Sequence, residues 1–287
     1  MLRERGLSPQ TAEHRCQGLL DFLARIDEAG LRLDTLTVAQ VDEVLAKKVQ
    51  DEGYARVTIQ TRASTLRVFF RYAEERGWCR PSLAAAIMSP RVFPDETLPA
   101  GPSWDDVNRV LTTAQGDRPA DIRDRALLML FAVYGLRSGE VAGMRLEDFD
   151  WEREVLAIPH GKRQTPRTYP LCRPVGEAVL RYLREVRPRS NRREEFLTLK
   201  APFRPLPRQG LGRVVSRRLH ALNVPLTHYG PHSLRHACAT HLLAQGLSLK
   251  EIGDHLGHRS PETTRIYAKV DLAGLRAVGD FDLEGLL

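Results

Sequence analysis

Apolar side chains recur every three or four residues through most of this chain, and the interruptions mark out its elements. Ser8-Pro9-Gln10-Thr11 places a cap and an early proline before Leu19, Leu20, Phe22, Leu23 and Ile26, which predicts a first helix. A second helix is expected over residues 38–51, led by Thr37, and a third from after Tyr54 to about Arg76. The third would bury Ile59, Leu66, Val68, Phe69, Phe70 and Tyr72. Residues 90–102 then hold four prolines, which no helix accommodates, and read as a stiff extended linker. Ser103 caps the next helix, with Asp105 and Asp106 in its first turn, where the helix dipole favours acids.

Helical spacing continues over residues 122–134, turns at Gly135 and resumes in a helix carrying Arg137 and Glu140. Short strands are expected at residues 149–151, 155–158 and 168–171, the last two joined by a hairpin turn over residues 161–166. The Pro- and Arg-rich residues 187–209 read as a mobile, basic connection. Ser248-Leu249-Lys250-Glu251 is a capping box, and Ser260-Pro261 opens a short helix that puts Tyr267 two turns in. The expected fold is mainly α with a small β-sheet hairpin: a helical domain over residues 1–89, the linker, an α+β domain over residues 103–270, and an apolar tail over residues 271–287.

Composition sharpens this picture in one place. The chain carries a formal net charge of +7, but the excess is local: residues 159–220 hold 16 basic and 4 acidic side chains. A segment so short of compensating acids suits a polyanion better than an ordinary solvated face. Cys16, Cys79, Cys172 and Cys238 are far apart, which fits free thiols in a reducing cytosol and excludes a disulfide framework or a zinc site. The N-terminus shows no signal-peptide pattern, and the longest apolar run, residues 126–136, is too short to span a bilayer.

The chemistry-bearing residues are Arg137, Lys162, His232, Arg235, His258 and Tyr267. They supply cations to neutralise a phosphate, proton donors for a leaving oxygen and a phenol that can attack, with no carboxylate pair to hold a metal. Arginine presents a fixed fork of donors that stays charged, so Arg137 and Arg235 suit a phosphate clamp. His232 and Arg235, three apart, share a helix face. His258 follows the Leu256-Gly257 turn and can donate to a phosphate oxygen. Lys162, near the hairpin tip, is a candidate general acid for a 5′-oxygen, and Tyr267 the nucleophile. Arg56, Arg62, Arg67 and Arg71 on the third helix, with Arg163 and Arg167 beside the hairpin, are the candidate DNA-contacting residues.

Tyr134-Gly135-Leu136-Arg137-Ser138-Gly139-Glu140 resembles the first arginine box of the tyrosine recombinase (phage-integrase) family, including its Xer-type members. His232-Ser233-Leu234-Arg235-His236, then Leu256-Gly257-His258, then Tyr267 resemble its second, and Gly161-Lys162 falls where the hairpin lysine belongs. The resemblance implies an N-terminal SAM-like core-binding domain and a C-terminal catalytic domain that form a C-shaped clamp on double-stranded DNA. It implies a 3′-phosphotyrosyl intermediate, no metal or other cofactor, and a homotetramer, or a hetero-tetramer with a partner recombinase, in which the tail docks on a neighbour. Glu140 would support the first arginine box. Met1-Leu2-Arg3-Glu4-Arg5-Gly6 looks like the end of a helix that family members begin earlier, so the first domain is expected to be truncated.

Two other classes compete. His232, His236, His241, His255 and His258 invite a metal-dependent hydrolase, although no acid completes the ligand set. The helix ending near Gln245 and the one starting at Leu249 mimic a helix-turn-helix, which would suit a DNA binder without catalysis.

Overall fold

The computed structural model describes residues 9–53, 55–89, 101–158, 167–258 and 260–270. Contacts divide the chain into two units, Met1–Glu96 and Thr97–Leu287. The expected linker, hairpin tip and tail therefore lie wholly or largely outside the described residues.

The first unit is helical: α1 (Pro9–Glu28), α2 (Val38–Glu52), α3 (Arg56–Glu75) and the single turn α4 (Leu83–Ala86). Thr37 starts α2 as its position suggested, its backbone N–H donating to Gln40 Oε1 at 2.9 Å. The core gathers Phe22, Ile26, Leu36, Val41, Leu66, Phe70 and Ile87, with Phe22 edge-on to Phe70. α3 buries Ile59, Ala63, Leu66 and Phe70, one face at three- and four-residue intervals.

The second unit is built around α6 (Pro119–Tyr134), whose residues Ala126 to Ala132 are all buried. A helix apolar on every side needs cover on every side. It packs against α5 (Trp104–Thr112), α8 (Arg173–Arg181), α9 (Arg208–His220) and α10 (Pro231–Ala244). Ser103 caps α5, its hydroxyl accepting from Asp106 N at 3.1 Å. After α7 (Ser138–Gly143) come β1 (Phe149–Asp150), β2 (Val155–Ile158) and β3 (Arg167–Pro170), an antiparallel sheet in the order β1-β2-β3. Leu156 lies opposite Tyr169 and Ile158 opposite Arg167. α11 (Leu249–Leu256) opens on the Ser248–Glu251 capping box, and α12 (Glu262–Arg265) completes the described chain with the 3₁₀ segment Ile266–Val270.

One expectation changes and another is refined. Residues 187–209 are held in place: Phe196, Leu197 and Leu206 are buried, and Arg187 donates to the carbonyls of Arg192, Glu194 and Glu195. Its backbone groups are paired through Arg187, the Tyr182 and Thr198 hydroxyls and two isolated bridges, a solution that has no local sequence signal. Tyr267 lies two turns into the short helical stretch as expected, but its turn is 3₁₀, directly after the four-residue helix α12. No helix among the described residues is long and apolar enough to cross a membrane.

Candidate active site

α6 ends at Gly135 in the left-handed conformation, φ +58°. A Cβ there would lie 2.5 Å from Leu256 Cδ2, so both backbone and packing demand glycine. The turn makes Arg137 the cap of α7. Its backbone N–H donates to Glu140 Oε2 at 2.7 Å, and its side chain to Glu140 Oε1 at 3.1 Å and to Gly257 O at 3.0 Å. Arg235, one turn into α10 and 3% exposed, donates to Gly135 O at 2.5 Å and Leu256 O at 2.7 Å. Arg167 donates to His255 O at 3.2 Å. The last three carbonyls at the end of α11 thus each receive a different guanidinium, where a helix presents unpaired acceptors and partial negative charge. Burial, then repulsion from Arg137, brings the Arg235 pKa down to about 10, which leaves it charged at neutral pH.

The histidines face the same cations. His258 follows Gly257, itself at φ +64°, and its Nδ1 lies 2.7 Å from Thr264 Oγ1. Burial, then Arg235, Arg137 and Arg167, push its pKa down to about 4, so it is neutral. His232 keeps an exposed surface, yet the protein packed around the rest of the ring, with Arg235, His228 and Arg137, also lowers its pKa. Tyr267 is 2% exposed, in a cluster with Cys238, Ala239, Ile252 and Leu256, and its hydroxyl lies 2.9 Å from His236 Nδ1. Burial raises the Tyr267 pKa to about 12 against the pull of Arg235, and burial with His232 and Arg235 lowers that of His236 to about 4. The phenol therefore keeps its proton, and the imidazole it is hydrogen-bonded to is neutral.

Arg137, Arg235, His232 and His258 are thus brought together, with Tyr267 against the same helix one turn beyond His232. Lys162 and Arg163 lie outside the described residues. Arg167, expected on a DNA-facing surface, turns inward, because it and Tyr169 occupy the same face of β3 while Thr168 is exposed. On α3, Arg56 and Arg71 are exposed. Arg62 and Arg67 instead flank the buried face: Arg62 lies 3.7 Å from Asp21, and Arg67 donates to Ile87 O at 3.0 Å and to Ser89 Oγ. Sequence reasoning missed His236 as the partner of the phenol and Thr264 as that of His258. The spacing of His232 and His236 signalled a shared face but not what would meet it. Among the described residues, no three His, Cys, Asp or Glu side chains group in a way that could hold a metal ion.

Comparison with known proteins bears on this geometry. Residues 103–273 match the model of the "Phage integrase family", and residues 1–77 that of the "Phage integrase, N-terminal SAM-like domain". The chain belongs to the phage integrase family of tyrosine recombinases. Within that family it is 38% identical, over 96% of its length, to the Sinorhizobium fredii protein named "Putative integrase/recombinase y4rA", of which it spans 66%. It is 33% identical to the tyrosine recombinase XerC of a Mycobacterium species, covering 96% of this chain and 93% of that one. The fold is similar to that of a lambda integrase dimer bound to a core site, with a TM-score of 0.72 at 19% identity over 93% of this chain and 73% of that one.

Proposed function

We propose that this chain is a site-specific DNA recombinase that cuts and rejoins strands through Tyr267. The observation that supports this most directly is the convergence of Arg137 and Arg235 on adjacent carbonyls, Gly257 and Leu256, with His258 next in the chain and His232 on the same helix as Arg235. Arg137, its side chain 36% exposed, is the arm of that cluster open to a ligand. Arg137, with the charge of the buried Arg235 behind it, neutralises the phosphate and the further charge of the transition state. The Tyr267 oxygen attacks phosphorus and its proton passes to a ring nitrogen of His232, which is neutral and lies at the exposed edge of the cluster. The bond to the 5′-oxygen breaks, and that oxygen takes up a proton for which Lys162 is the candidate donor. The products are a 3′-phosphotyrosyl link and a free 5′-hydroxyl. Attack by that hydroxyl, or by one from a second strand, reverses the step, so one ester replaces another without ATP or a divalent metal.

Attack requires the phenol to leave His236 Nδ1 and exchange its buried place for one facing the phosphate. His232 and His258, neutral at physiological pH, can each donate one hydrogen bond to a phosphate oxygen. The first unit serves as the core-binding domain, with Arg56 and Arg71 on its exposed surface. The partner is a double-stranded recombination site, and strand exchange takes place in a tetramer on DNA, in the cytoplasm and on the nucleoid. Incubation with a nicked suicide site followed by a denaturing gel tests the chemistry. A covalent adduct that disappears in Tyr267→Phe is expected. Tight binding without an adduct would support a non-catalytic DNA binder, and cleavage only with added metal a hydrolase.

A further inference from the structure

Arg167 combines three contacts that no surface-binding role explains. Its side chain is 15% exposed and donates to Glu140 Oε1 at 2.5 Å, Tyr169 Oη at 2.7 Å and His255 O at 3.2 Å. Glu140, nearly buried, is shared: the same Oε1 accepts from Arg137 at 3.1 Å, and Oε2 takes the Arg137 backbone N–H at 2.7 Å. The guanidinium also fills the place of the missing side chain at Gly257, where a Cβ would lie 2.5 Å from Arg167 Cζ. One side chain from β3 therefore touches the carboxylate that orients Arg137 and the turn that carries His258.

A single carboxylate facing two guanidiniums leaves the pair with net positive charge. Only Arg137 of the two is substantially open, so that surplus is offered on its side. Without Arg167, Glu140 would hold Arg137 as a closed, neutral pair and would compete with an incoming phosphate. We propose that Arg167 is a positioning residue of the phosphate clamp: it draws on Glu140 and braces the Gly257 turn, so that Arg137 meets the scissile phosphate pre-aligned and charged. This inference rests on the strand-transfer function proposed above.

The test uses the full chain with three versions of one suicide site. The first has an ordinary scissile phosphate, the second a non-bridging oxygen replaced by a neutral methyl group, and the third sulfur in place of the 5′-bridging oxygen. On the ordinary site, Arg167→Ala should slow adduct formation about 10²-fold, the scale set by misplacing one charge-stabilising group. DNA affinity and its salt dependence should change little, because no phosphate contact is removed. The defect should shrink on the methyl site, where less charge needs neutralising, and persist on the sulfur site, whose leaving group needs no proton. Arg167→Lys should rescue poorly, since an ammonium cannot reach the three acceptors with a planar fork. Thermal melting of both variants shows whether they fold, and the fold-losses of Arg167→Ala and Glu140→Gln should not multiply in the double variant.

An unchanged cleavage rate at saturating DNA, together with weaker binding and a shallower salt slope, would make Arg167 a DNA contact and overturn the proposal. Rescue by bridging sulfur would overturn it too, by assigning the residue to leaving-group protonation. A parent chain that forms no Tyr267-dependent adduct overturns the strand-transfer function and this inference together. A parent adduct that Arg167→Ala leaves unaffected overturns this inference alone.

Discussion

The hydroxyl of Tyr267 and the imidazole of His236 hold each other in their resting forms. A buried phenol raised to about 12 keeps its proton, and an imidazole lowered to about 4 stays neutral beside it. Replacing His236 by alanine leaves a buried hydroxyl without its hydrogen-bond partner, at a cost of about 1–3 kcal/mol. The expected result is a lower melting temperature and several-fold faster nitration of Tyr267 in the DNA-free protein; an unchanged nitration rate would remove His236 as the holding partner. Glu195 is a second residue set by burial. It is 0% exposed, both carboxylate oxygens lack a hydrogen-bond partner among the described residues, and burial raises its pKa to about 7. Between roughly pH 4.5, where the unfolded group titrates, and pH 7, the folded state binds the proton and the unfolded state does not. Stability therefore falls as pH rises through that window, by roughly 3 kcal/mol. Glu195→Gln, which cannot ionise, should flatten this part of the melting-temperature profile. His258 and His236, held low, contribute with the opposite sign: their share of stability is lost as pH falls from about 6.5 towards about 4.

At the scale of elements, the end of α11 gathers Arg137, Arg167 and Arg235, and glycine makes room for them. Gly257→Ala forces a side chain into φ +64° and against Arg167, so it should cost roughly 1–2 kcal/mol from the backbone alone. Cleavage should fall further than stability, which a suicide-site assay compared with a melting curve would show. Local rules carried the reading of such elements well. Ser103, Thr37 and Ser248 start helices where their side chains can reach a free N–H, and the left-handed Gly135 and Gly257 end helices. What local rules cannot convey is long-range. Arg167 meets an acceptor 88 residues away, and Arg235 one that is 100 residues away. An arginine that flanks a strand reads as solvent-facing until the partner of its buried neighbour, here His255 against Tyr169, is known. Residues 187–209 mislead in the same way, since their order comes from Arg187 and from pairing with Arg145 and across Leu197–Pro205, not from periodicity.

Across the whole molecule, the basic segment from 159 to 220 is less free than its composition suggests. Arg181 pairs with Asp117, Arg193 with Glu147, and Arg217 and Arg218 with Asp124, so acids that precede the segment return part of its charge. Arg184, Arg189, Arg192, Lys200, Arg204 and Arg213 are exposed and make no ion pair among the described residues. The distinction predicts two phenotypes for one kind of substitution. Arg218→Ala strips a buried guanidinium from Asp121 and Asp124, and should destabilise the fold by about 3–5 kcal/mol. Arg213→Ala should leave the unfolding free energy within about 0.5 kcal/mol of the parent. If that face lies on the duplex, the same change should weaken binding about equally across DNA sequences and reduce the slope of log K against log salt by about 1. Titrations of a fluorescent duplex at several salt concentrations measure the slope. A parent slope near zero would mean that the polyanion does not use this surface, and that the segment's remaining charge is there for solvent.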